Sequence, residues 1–562
     1  MQRFREALDQ ALEEHAAGSG PEHWVLHLYD QLSLELGPVA ESEAGSVGVV
    51  LVESAWKPSL RPYHQQKLAL LLANQRHFAL EAARAGVPVR YLTGQEDYAT
   101  QLAPVAEAAG GLLGMKPAEW ELRHTLRPLE EEELLTWSPH PGWLTTAEDF
   151  EAAGEPEGPW RQDAFYRAVR QRTGLLMEDG SPAGGKYSHD ADNREFWPGE
   201  PPAPEAPATE PDEITREVVE LVEDRYGHHP GSVRLEALPA TQEDVEALWA
   251  WAKEECMQHF GPYEDAMSVR SRGLFHTRVS PLMNLHRLLP ARVVDEVAAM
   301  ELPLPSKEGF LRQVIGWREF VRHVHEATNG FRSLEEVETA EAPGDGGFGR
   351  WRDSPWTRDE SAEGYGGACP SALDAEAPLP PAWWGAESGL HCLDTVVGEV
   401  MEHGWTHHIP RLMVLSNLAT LLDVDPRELT DWFWVAFVDA YDWVVEPNVL
   451  AMGTFGTGPL MTTKPYVSGA NYIDRMSDYC GSCVFDPGDT CPVTRLYWAF
   501  LGRHQERLAG NRRMNLPRAS QRKRSQDRTT EDRRVFQRVR ELLDAGERLS
   551  PEKLRPEDDV SS

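Results

Sequence analysis

Three of the six cysteines in this 562-residue chain crowd into one short segment, in the pattern Cys480-x2-Cys483-x7-Cys491. Two thiolates of a CxxC turn can bind one metal centre, and the third is near enough to join them. Cys392 stands much earlier, at the start of a predicted helix, and could be the fourth ligand. Four thiolates suit tetrahedral zinc and an iron-sulfur cluster about equally, so the spacing predicts a metal site without choosing between them.

A second chemical signal is the pair His407-His408, which is followed by Arg411 in an apolar segment. Imidazole changes its charge near neutral pH, and a guanidinium binds phosphate and other anions. A single histidine is most often a packed side chain. Two adjacent histidines with a nearby arginine favour a functional site close to the core of a domain.

Tryptophans are concentrated in the same part of the chain, where the six are Trp383, Trp384, Trp405, Trp432, Trp434 and Trp443. Residue type alone favours an aromatic-rich core, because indole side chains bury large areas. The functional alternative is a path for electron hopping between a buried redox centre and the surface. Spacing alone does not exclude either interpretation.

Upstream of these residues, apolar segments alternate between strand and helix spacing. We predict strands at 23–29, 47–52 and 87–92, and helices at about 63–85 and 98–109. This order predicts a parallel sheet, in which ligands bind at the carboxyl ends of the strands. No GxGxxG motif occurs, so a dinucleotide site is not expected in this sheet.

Composition divides the chain into five segments. They are an amphipathic N-terminal helix in 1–22, an α/β domain in 23–150, a Gly- and Pro-rich interdomain linker in 151–212, an almost wholly helical domain in 213–515 and a basic tail in 516–562. Within the helical domain, 333–380 has no apolar period and is expected to be a surface insertion.

The formal charge of −36 predicts that the molecule as a whole is repelled by polyanions, so any nucleic-acid partner would need a locally basic face. Candidates are Arg270, Arg272, Arg278 and Arg287, together with basic residues of the tail. The tail either contacts nucleic acid or is a solvated helix packed on the domain. No apolar run is long enough for a membrane span and no signal peptide is recognised, so we expect a cytoplasmic protein, and we expect a monomer. Six cysteines are too few for a disulfide framework.

Four longer motifs accompany the histidine pair and the cysteines. They are Gly316-Trp-Arg-Glu-Phe320, Val438-Asp-Ala-Tyr-Asp-Trp443, Lys464-Pro-Tyr466 and Asn471-Tyr-Ile-Asp-Arg-Met-Ser-Asp-Tyr-Cys480. Taken together, these sequences resemble the photolyase and cryptochrome superfamily, and within it the iron-sulfur bacterial cryptochromes and photolyases, also called prokaryotic (6-4) photolyases. The resemblance extends from about residue 23 to residue 515. It implies an α/β parallel-sheet antenna domain followed by an all-α FAD-binding domain.

The resemblance also implies cofactors. Of the two metal centres that the spacing allows, it implies a [4Fe-4S] cluster, with Cys392, Cys480, Cys483 and Cys491 as ligands. It implies FAD in the helical domain, with contacts from Tyr263, His276, Thr277, Arg278, Val279, Ser280, Gln313, Trp317, Arg318, His408, Arg411, Asp439 and Tyr441. A reduced anionic flavin needs a nearby cation and shielding from water, which agrees with an arginine at this place.

The family's N-terminal sheet binds an antenna, 6,7-dimethyl-8-ribityllumazine, and Asp30, Gln31 and Glu53 match its neighbourhood. The residue before Asp30 is Tyr29, where relatives have glycine. Trp384 and Trp432 match the electron-transfer path, which continues at Phe433 where a relative has tyrosine. Val445 matches the position that faces flavin N5, with Glu446 beside it.

By resemblance, the function is light-driven repair of (6-4) photoproducts in double-stranded DNA by an electron from excited reduced FAD. His407 and His408 would face the lesion, and one of them would give and recover a proton. Tyr466 and Asp265 would line the lesion pocket, Asp265 through a possible divalent cation. The alternatives are a cryptochrome that signals light without repair, and a plain metal-containing nucleic-acid-binding module.

Overall fold

A computed structural model describes residues 1–15, 20–43, 45–334 and 367–556. Its N-terminal part contains a five-stranded, fully parallel sheet with the strand order β3-β2-β1-β4-β5. The strands are β1 His23–Leu26, β2 Val47–Ser54, β3 Val89–Gly94, β4 Leu112–Met115 and β5 Leu135–Ser138. β2 lies inside the sheet and is buried along nearly all its length, which fits its run of valines and leucine. The predicted parallel sheet is confirmed.

Helices cover the sheet and form nearly all of the remainder. In the first half of the chain they are α1 Gln2–Glu14, α2 Gly37–Ala40, α3 Trp56–Leu60, α4 Gln65–Arg84, α5 Tyr98–Ala109, α6 Trp120–Glu131, α7 Ala147–Glu151, α8 Gln162–Thr173, α9 Glu213–Tyr226, α10 Gln242–Trp251, α11 Met257–Phe260, α12 Ser280–Asn284, α13 Pro290–Ala299, α14 Leu304–Leu311 and α15 Glu319–Ala327. In the second half they are α16 His391–His403, α17 Asn417–Leu421, α18 Pro426–Ala436, α19 Asp442–Val445, α20 Ala470–Met476, α21 Pro492–Arg503, α22 Asn515–Arg522 and α23 Gln526–Asp544. The predicted helical second domain is confirmed.

Wider, π-helical turns join several of these helices. They are Ala252–Cys256, Arg312–Arg318, Pro410–Ser416 and Glu446–Gly453. A π turn inserts an extra residue into a helix, costs stability and is found mostly at functional sites. Two of these turns carry residues that the sequence nominated for flavin contacts, Gln313 to Arg318 and Arg411.

The segment 151–212 differs from the extended linker that its composition predicts. It contains α8 and a small hairpin of β6 Met177–Glu178 and β7 Ser181–Pro182. Phe165 and Val169 of α8 are buried, so this part belongs to the packed core. The Gly- and Pro-rich stretch from 193 to 212 has no helix or strand, as its composition predicts.

The basic tail is a packed structure. α23 lies on α21 and buries Val535, Val539 and Leu542. The buried Asp532 pairs with Arg524 of the same tail, at 2.7 Å. Most of the predicted 333–380 insertion, residues 335–366, lies outside the described residues.

None of the helices that the structure describes is both long and apolar enough to cross a membrane.

Candidate functional site

Three histidines meet in the interior of the helical domain. His276 precedes α12, His407 and His408 precede the π turn at 410–416, and ring nitrogens of all three lie within 4.8 Å of one another. The rings of His276 and His407 stack with centroids 4.1 Å apart and planes 19° apart. A metal ion lies in the plane of the imidazole that binds it, so two nearly parallel stacked rings do not bind the same ion. We therefore interpret the cluster as a wall of a binding site.

The histidines are held neutral. Burial lowers the pKa of His276 to about 3 and that of His408 to about 4, and it lowers the pKa of His407 well below its ordinary value. Neighbouring cations add to this effect at His408, where Arg312 and Arg411 are the nearest. His276 Nε2 and His407 Nδ1 are buried and have no hydrogen-bond partner within the described chain. These two nitrogens are free to contact a ligand.

Arg411 and Asp439 lie beside the histidines as a bidentate ion pair. The two guanidinium nitrogens donate to the Asp439 carboxylate at 2.9 and 3.0 Å. Ser280 Oγ donates to the same carboxylate at 2.7 Å, and Asn284 Nδ2 donates to the Asp439 carbonyl at 2.9 Å. The Arg411 side chain is 21% exposed although it lies within the domain, so its outer edge faces open space. The pair is a fixed charged element that a bound flavin could contact.

The other nominated flavin contacts are distributed around this pair. Thr277 and Val279 are buried in the segment before α12, and Tyr263 packs on Phe275 with ring centroids 5.3 Å apart. Gln313 Nε2 donates to Glu264 Oε1 at 2.6 Å. The structure therefore brings together His276, Ser280, His408, Arg411 and Asp439.

Four nominated contacts face elsewhere. The Arg318 guanidinium lies over the Trp143 ring at 4.1 Å, and the neighbouring Trp317 packs on Phe320. Tyr441 stacks on Tyr29 of the N-terminal domain, with centroids 6.1 Å apart. Arg278 also leaves the histidine wall, and its side chain lines a separate cavity.

Val445, at the position expected to face flavin N5, is buried. The adjacent Glu446 points into an ion-pair network: it accepts from Arg427 Nη1 at 2.7 Å and contacts His325 Nε2 at 2.9 Å. Arg332, together with His325 and Arg427, holds the pKa of Glu446 at about 2 despite burial. Glu446 is therefore a structural carboxylate, and an apolar side chain occupies the N5 position.

An aromatic path leads from the domain exterior to the Arg411–Asp439 pair. The half-buried Trp384 contacts the fully buried Trp432, with ring centroids 6.4 Å apart. Trp432 contacts Phe437 at 5.9 Å, and the Arg411 guanidinium lies 4.2 Å from the Phe437 ring. The predicted pair of tryptophans is thus in contact. Phe433, the predicted next member, contacts Trp432 at 5.2 Å and stacks on Phe437 at 5.0 Å, so it bridges these two rings.

The four nominated cysteines converge from three segments. Cys392 lies in the first turn of α16, Cys480 and Cys483 lie in and after a tight turn at 479–482, and Cys491 directly precedes α21. Cys392 is buried, and its pKa is raised well above the ordinary value by burial and by the three other thiols. A thiol with such a pKa needs a bound metal to become a thiolate at neutral pH. The arrangement fits a metal centre with four thiolate ligands.

Acidic and aromatic side chains form the side of the site next to the nominated lesion pocket. Burial, together with the neighbouring Glu264 and Asp190, raises the pKa of Asp265 to about 6. Tyr472 donates a hydrogen bond to Asp265 at 3.2 Å. Burial and Asp190 also raise the pKa of Tyr466. Asp190 is thus a common neighbour of Asp265 and Tyr466.

Asp190 and its ion-pair partner Arg194 are site residues that the sequence did not nominate. They come from the segment 151–212, whose Gly, Pro and acidic composition predicted only a linker. Asp190 also acts on the pKa of His408, which places it at the same site. No motif in the sequence marks this position.

A cavity of about 280 Å³ lies at the carboxyl ends of the sheet strands, as expected for a ligand of a parallel sheet. Tyr29, Lys57, Tyr98, Glu119 and Tyr441 line it together with Glu53.

The nominated antenna contacts are only partly at this cavity. The carboxylate of Glu53 binds the Arg76 guanidinium at 2.7 and 2.8 Å and accepts from Tyr91 at 2.7 Å. Gln31 Nε2 donates to the Met115 carbonyl at 2.9 Å. Asp30 is buried beside the domain interface, and burial raises its pKa to about 7.

The arginines expected on a basic face have other surroundings. Arg287 is wrong for this role, since its side chain is 2% exposed and binds Glu81 at 2.7 Å. Arg270 lies over the Trp197 ring and pairs with Asp478 at 3.2 Å. Arg272 and Arg278 face the separate cavity. Two exposed arginines lie next to the nominated lesion pocket instead: Arg194, whose Nε is 3.6 Å from the Asp265 carboxylate, and Arg513, which acts on the pKa of Tyr466.

Comparisons with known proteins agree with this geometry. Residues 25–238 match the family model described as deoxyribodipyrimidine photo-lyase-related protein. A (6-4) photolyase of Agrobacterium fabrum is 30% identical over 524 residues, which span 90% of this chain and 96% of the relative. An uncharacterised protein of Acanthamoeba polyphaga mimivirus is 30% identical over 119 residues, which span 20% of this chain and 90% of that protein.

Solved structures show the same fold at lower identity. A bacterial class III photolyase from Agrobacterium tumefaciens superposes with a TM-score of 0.51 and 16% identity, covering 94% of this chain and 98% of the other. A Synechocystis cryptochrome superposes with a TM-score of 0.50 and 13% identity, covering 78% and 83%. Since the Agrobacterium (6-4) photolyase is similar along almost its whole length, the chain belongs to the photolyase and cryptochrome family, in its photolyase-related branch.

Proposed function

We propose that this protein uses light to repair UV-damaged DNA, with the (6-4) pyrimidine photoproduct as its substrate. One observation carries the proposal: the contact path Trp384–Trp432–Phe437 ends at the Arg411–Asp439 pair, beside the three clustered histidines. An electron path is needed to keep a flavin reduced, and histidines suit proton transfer at a lesion. The similarity to a (6-4) photolyase supports this choice of lesion.

The residues present fit FAD, which the fold family implies. Arg411 offers a cation with an exposed outer edge, Asp439 and Ser280 fix its position, and His276 Nε2 is an unsatisfied polar atom on the wall. When bound and reduced, FAD would supply the electron that light promotes to the lesion. Arg411 would favour the anionic form of the flavin by its charge. The buried Val445 excludes water at the N5 position.

His407 and His408 would serve the lesion as neutral imidazoles in the resting state, because burial lowers the pKa of both. A neutral imidazole can accept a proton at one nitrogen and donate from the other. His407 Nδ1, which has no partner among the described atoms, is free for this role. A phosphate brought close by DNA would raise the pKa of either ring and would increase the fraction of the protonated form that can donate a proton.

Asp265 and Tyr466 would line the lesion pocket with Asp190. The raised pKa of Asp265 reflects crowding with other acids, which a divalent cation would relieve. Among the described residues, only the histidine cluster brings three possible metal-ligand atoms within 4.8 Å of one another, and Asp265 is not part of it. A cation at Asp265 would therefore take most of its ligands from water and DNA phosphate, as Mg²⁺ commonly does.

We assign the four cysteines to a [4Fe-4S] cluster. In a mononuclear zinc site, with Zn–S bonds of about 2.3 Å, tetrahedral geometry brings the sulfur atoms about 3.8 Å apart. In this structure no three of the four cysteine sulfurs, all of which are described, lie within 4.8 Å of one another. The wider spacing favours a larger centre. Since the ligands come from α16, the turn at 479–482 and the start of α21, the cluster would tie these segments together.

The 280 Å³ cavity at the sheet is the proposed antenna site. Its lining contains the tyrosines Tyr29, Tyr98 and Tyr441 and the charged groups of Lys57 and Glu119, which suit a polar heteroaromatic ring such as a ribityllumazine. Tyr441 follows Asp439 by two residues, so it connects this cavity with the proposed flavin site. Tyr29 stands where relatives have glycine. Its ring fills part of the cavity and so limits the size of the ligand that fits.

DNA would approach over a basic rim next to the lesion pocket. Burial and the nearby charges of Arg513 and Arg194 lower the pKa of Lys464, and the same two arginines act on the pKa of Tyr466. Asn511 Nδ2 donates to the Thr463 carbonyl at 3.0 Å and holds the Arg513 segment against the Lys464 loop. This rim gives an acidic protein a local site for phosphate.

A binding titration tests the proposal. Duplex DNA carrying one (6-4) lesion should bind more tightly than undamaged duplex. The double variant Lys464→Gln/Arg513→Gln should weaken binding to both, and it should lower the salt slope by about 0.9 per lost phosphate contact. Arg538→Gln, an exposed arginine on α23, is the control and should change neither.

A second candidate function is a cryptochrome-type photoreceptor that signals light to a protein partner. The formal charge of −36 favours it, since a strongly acidic surface does not attract DNA. Equal and weak binding of damaged and undamaged duplex would support this candidate and would contradict repair.

A further inference from the structure

A cavity of about 540 Å³ lies apart from the flavin wall and the sheet cavity. It is enclosed by α4 of the N-terminal domain, by the segment 203–209 and by helices of the second domain. Its lining includes none of the clustered histidines, the Arg411–Asp439 pair or the two tryptophans of the electron path. The cavity therefore needs an explanation of its own.

Two arginines of this cavity lack a counter-charge. Arg272 and Arg278 have no carboxylate within 4.0 Å in the described ranges, and Arg278 Nε is buried without a hydrogen-bond partner there. Burial lowers the pKa of both, that of Arg278 to about 10. By contrast, the other two arginines in the lining are paired, Arg234 with Glu236 at 2.8 Å and Arg270 with Asp478 at 3.2 Å.

The nearest acids do not fill this role. Glu205 and Glu399 lie close enough to affect the pKa of Arg278 but form no ion pair with it. Burial raises the pKa of Glu399 to about 7, and its carboxylate accepts a hydrogen bond from Thr406 at 3.3 Å. Both arginine side chains are half-buried, and a partly desolvated cation without a partner costs stability, so an anion bound in this cavity would be stabilising.

A third group in the same cavity is also unsatisfied. Trp405 is 9% exposed, and its indole Nε1 has no acceptor in the part of the chain that the structure describes. The Arg278 guanidinium lies 5.8 Å from the Trp405 ring, held there by a backbone in the left-handed region with φ of 56°. Donors without acceptors thus converge beside an aromatic surface, while Leu248, Leu282 and Val438 supply an apolar wall.

We propose that this cavity binds a phosphate-bearing, nucleotide-sized small molecule. Its phosphate would lie between Arg272 and Arg278, because guanidinium groups match phosphate oxygens in pairs. Its ring system would lie against Trp405 and the apolar wall, and a ring acceptor would take the indole hydrogen. A volume of about 540 Å³ is within the usual range for small-molecule sites.

Equilibrium dialysis of the full-length, flavin-loaded protein with AMP, inorganic phosphate, benzoate and adenosine tests the proposal. AMP should bind saturably with one molecule per chain, phosphate more weakly, and adenosine and benzoate not at all. The double variant Arg272→Gln/Arg278→Gln should lower AMP affinity about tenfold or more, because it removes both charge-assisted contacts to the phosphate. Arg538→Gln should retain the affinity.

Three results would overturn the proposal: no saturable binding of AMP, equal binding by the double variant, or preference for benzoate, which would indicate a carboxylate ligand. The proposal would also be overturned if AMP bound to the flavin-free protein but not to the flavin-loaded protein, because the cavity would then be part of the flavin site. If the double variant does not fold, Arg272→Lys, which keeps the charge but loses the paired donors, should lower AMP affinity with unchanged flavin content and circular dichroism.

Discussion

Arg411 and Asp439 are joined by two hydrogen bonds of 2.9 and 3.0 Å, and the other face of the guanidinium rests on the Phe437 ring. This relationship connects the two halves of the proposed mechanism. The carboxylate orients the cation that would stabilise an anionic flavin, and the ring is the last aromatic group of the path from Trp384. The predictions below follow from this arrangement and from the cysteine and sheet sites.

Replacing Asp439 with asparagine should lower the flavin content of the purified protein. The change leaves the Arg411 charge without its partner, at a cost of roughly 2 kcal/mol, because one fifth of that side chain is exposed and the cost is below that of a fully buried pair. The ratio of flavin to protein absorbance measures the effect. Asp423→Asn, which removes the partner of Arg503 at 2.8 Å far from the site, is the matched control. It should reduce stability but not the flavin ratio, and equal flavin loss in both variants would contradict a specific role for Asp439.

Replacing Trp432 with phenylalanine should slow photoreduction of the bound flavin by more than an order of magnitude. Trp432 is the fully buried link between Trp384 and Phe437, and phenylalanine is harder to oxidise than tryptophan. The rate of flavin bleaching under blue light with an external reductant measures this step. Trp383→Phe changes a neighbouring buried tryptophan outside the path and should leave the rate unchanged. Repair by chemically reduced Trp432→Phe should persist, and loss of repair there would indicate a structural defect.

Replacing Cys483 with alanine should remove iron and acid-labile sulfide and should lower the yield of folded protein. The proposed cluster would join α16 to the start of α21, so its loss would free segments that are distant in sequence. Cys369→Ala, a half-buried cysteine outside the group of four, should retain the iron. Elemental analysis decides between metals: zinc in the wild-type protein would contradict the cluster. Soluble, flavin-bound and repair-active Cys483→Ala protein without iron would contradict the stabilising role.

Replacing Asp30 with asparagine should raise the melting temperature at pH 8. Burial raises the pKa of Asp30 from 3.8 to about 7, so between these values the folded state binds more protons than the unfolded state. Stability is therefore lost as pH rises through this window, by up to about 1.4 kcal/mol per pH unit. Thermal scans from pH 4 to pH 8 should show a gain for the variant that shrinks towards pH 4. The exposed Asp9→Asn is the control, and an unchanged or lower melting temperature of Asp30→Asn at pH 8 would contradict the expectation.

The helices and motifs that depend on local residue spacing were predicted most accurately from the sequence. Helix α5 occupies 98–109 as expected, because the Asp97 side chain caps its first turn and Gly110 ends it with φ of 71°. The four cysteines and the two tryptophans are brought together as the motifs indicated.

Long-range partners were not predictable in the same way. An arginine that binds DNA and an arginine buried against an acid look alike in sequence, and Arg287 is wrong for a basic face because its partner Glu81 comes from another domain. Asp190 and Arg194 lie in a Gly- and Pro-rich segment. Its composition predicts only a linker, whereas the structure contains an ordered turn there, next to Asp265. Side-chain direction was also unpredictable for Arg278, whose left-handed backbone turns it from the histidine wall to the larger cavity.

The most direct test of the central claim is a light-dependent repair assay with duplex DNA that carries a single (6-4) photoproduct. The purified protein, with its flavin reduced, should restore the undamaged bases under blue light and leave the lesion intact in the dark. A cyclobutane dimer in the same duplex should be repaired poorly or not at all, and His407→Asn should lose repair while keeping its flavin. A (6-4) lesion that remains intact in the light, although the flavin is reduced and the DNA is bound, would contradict the account.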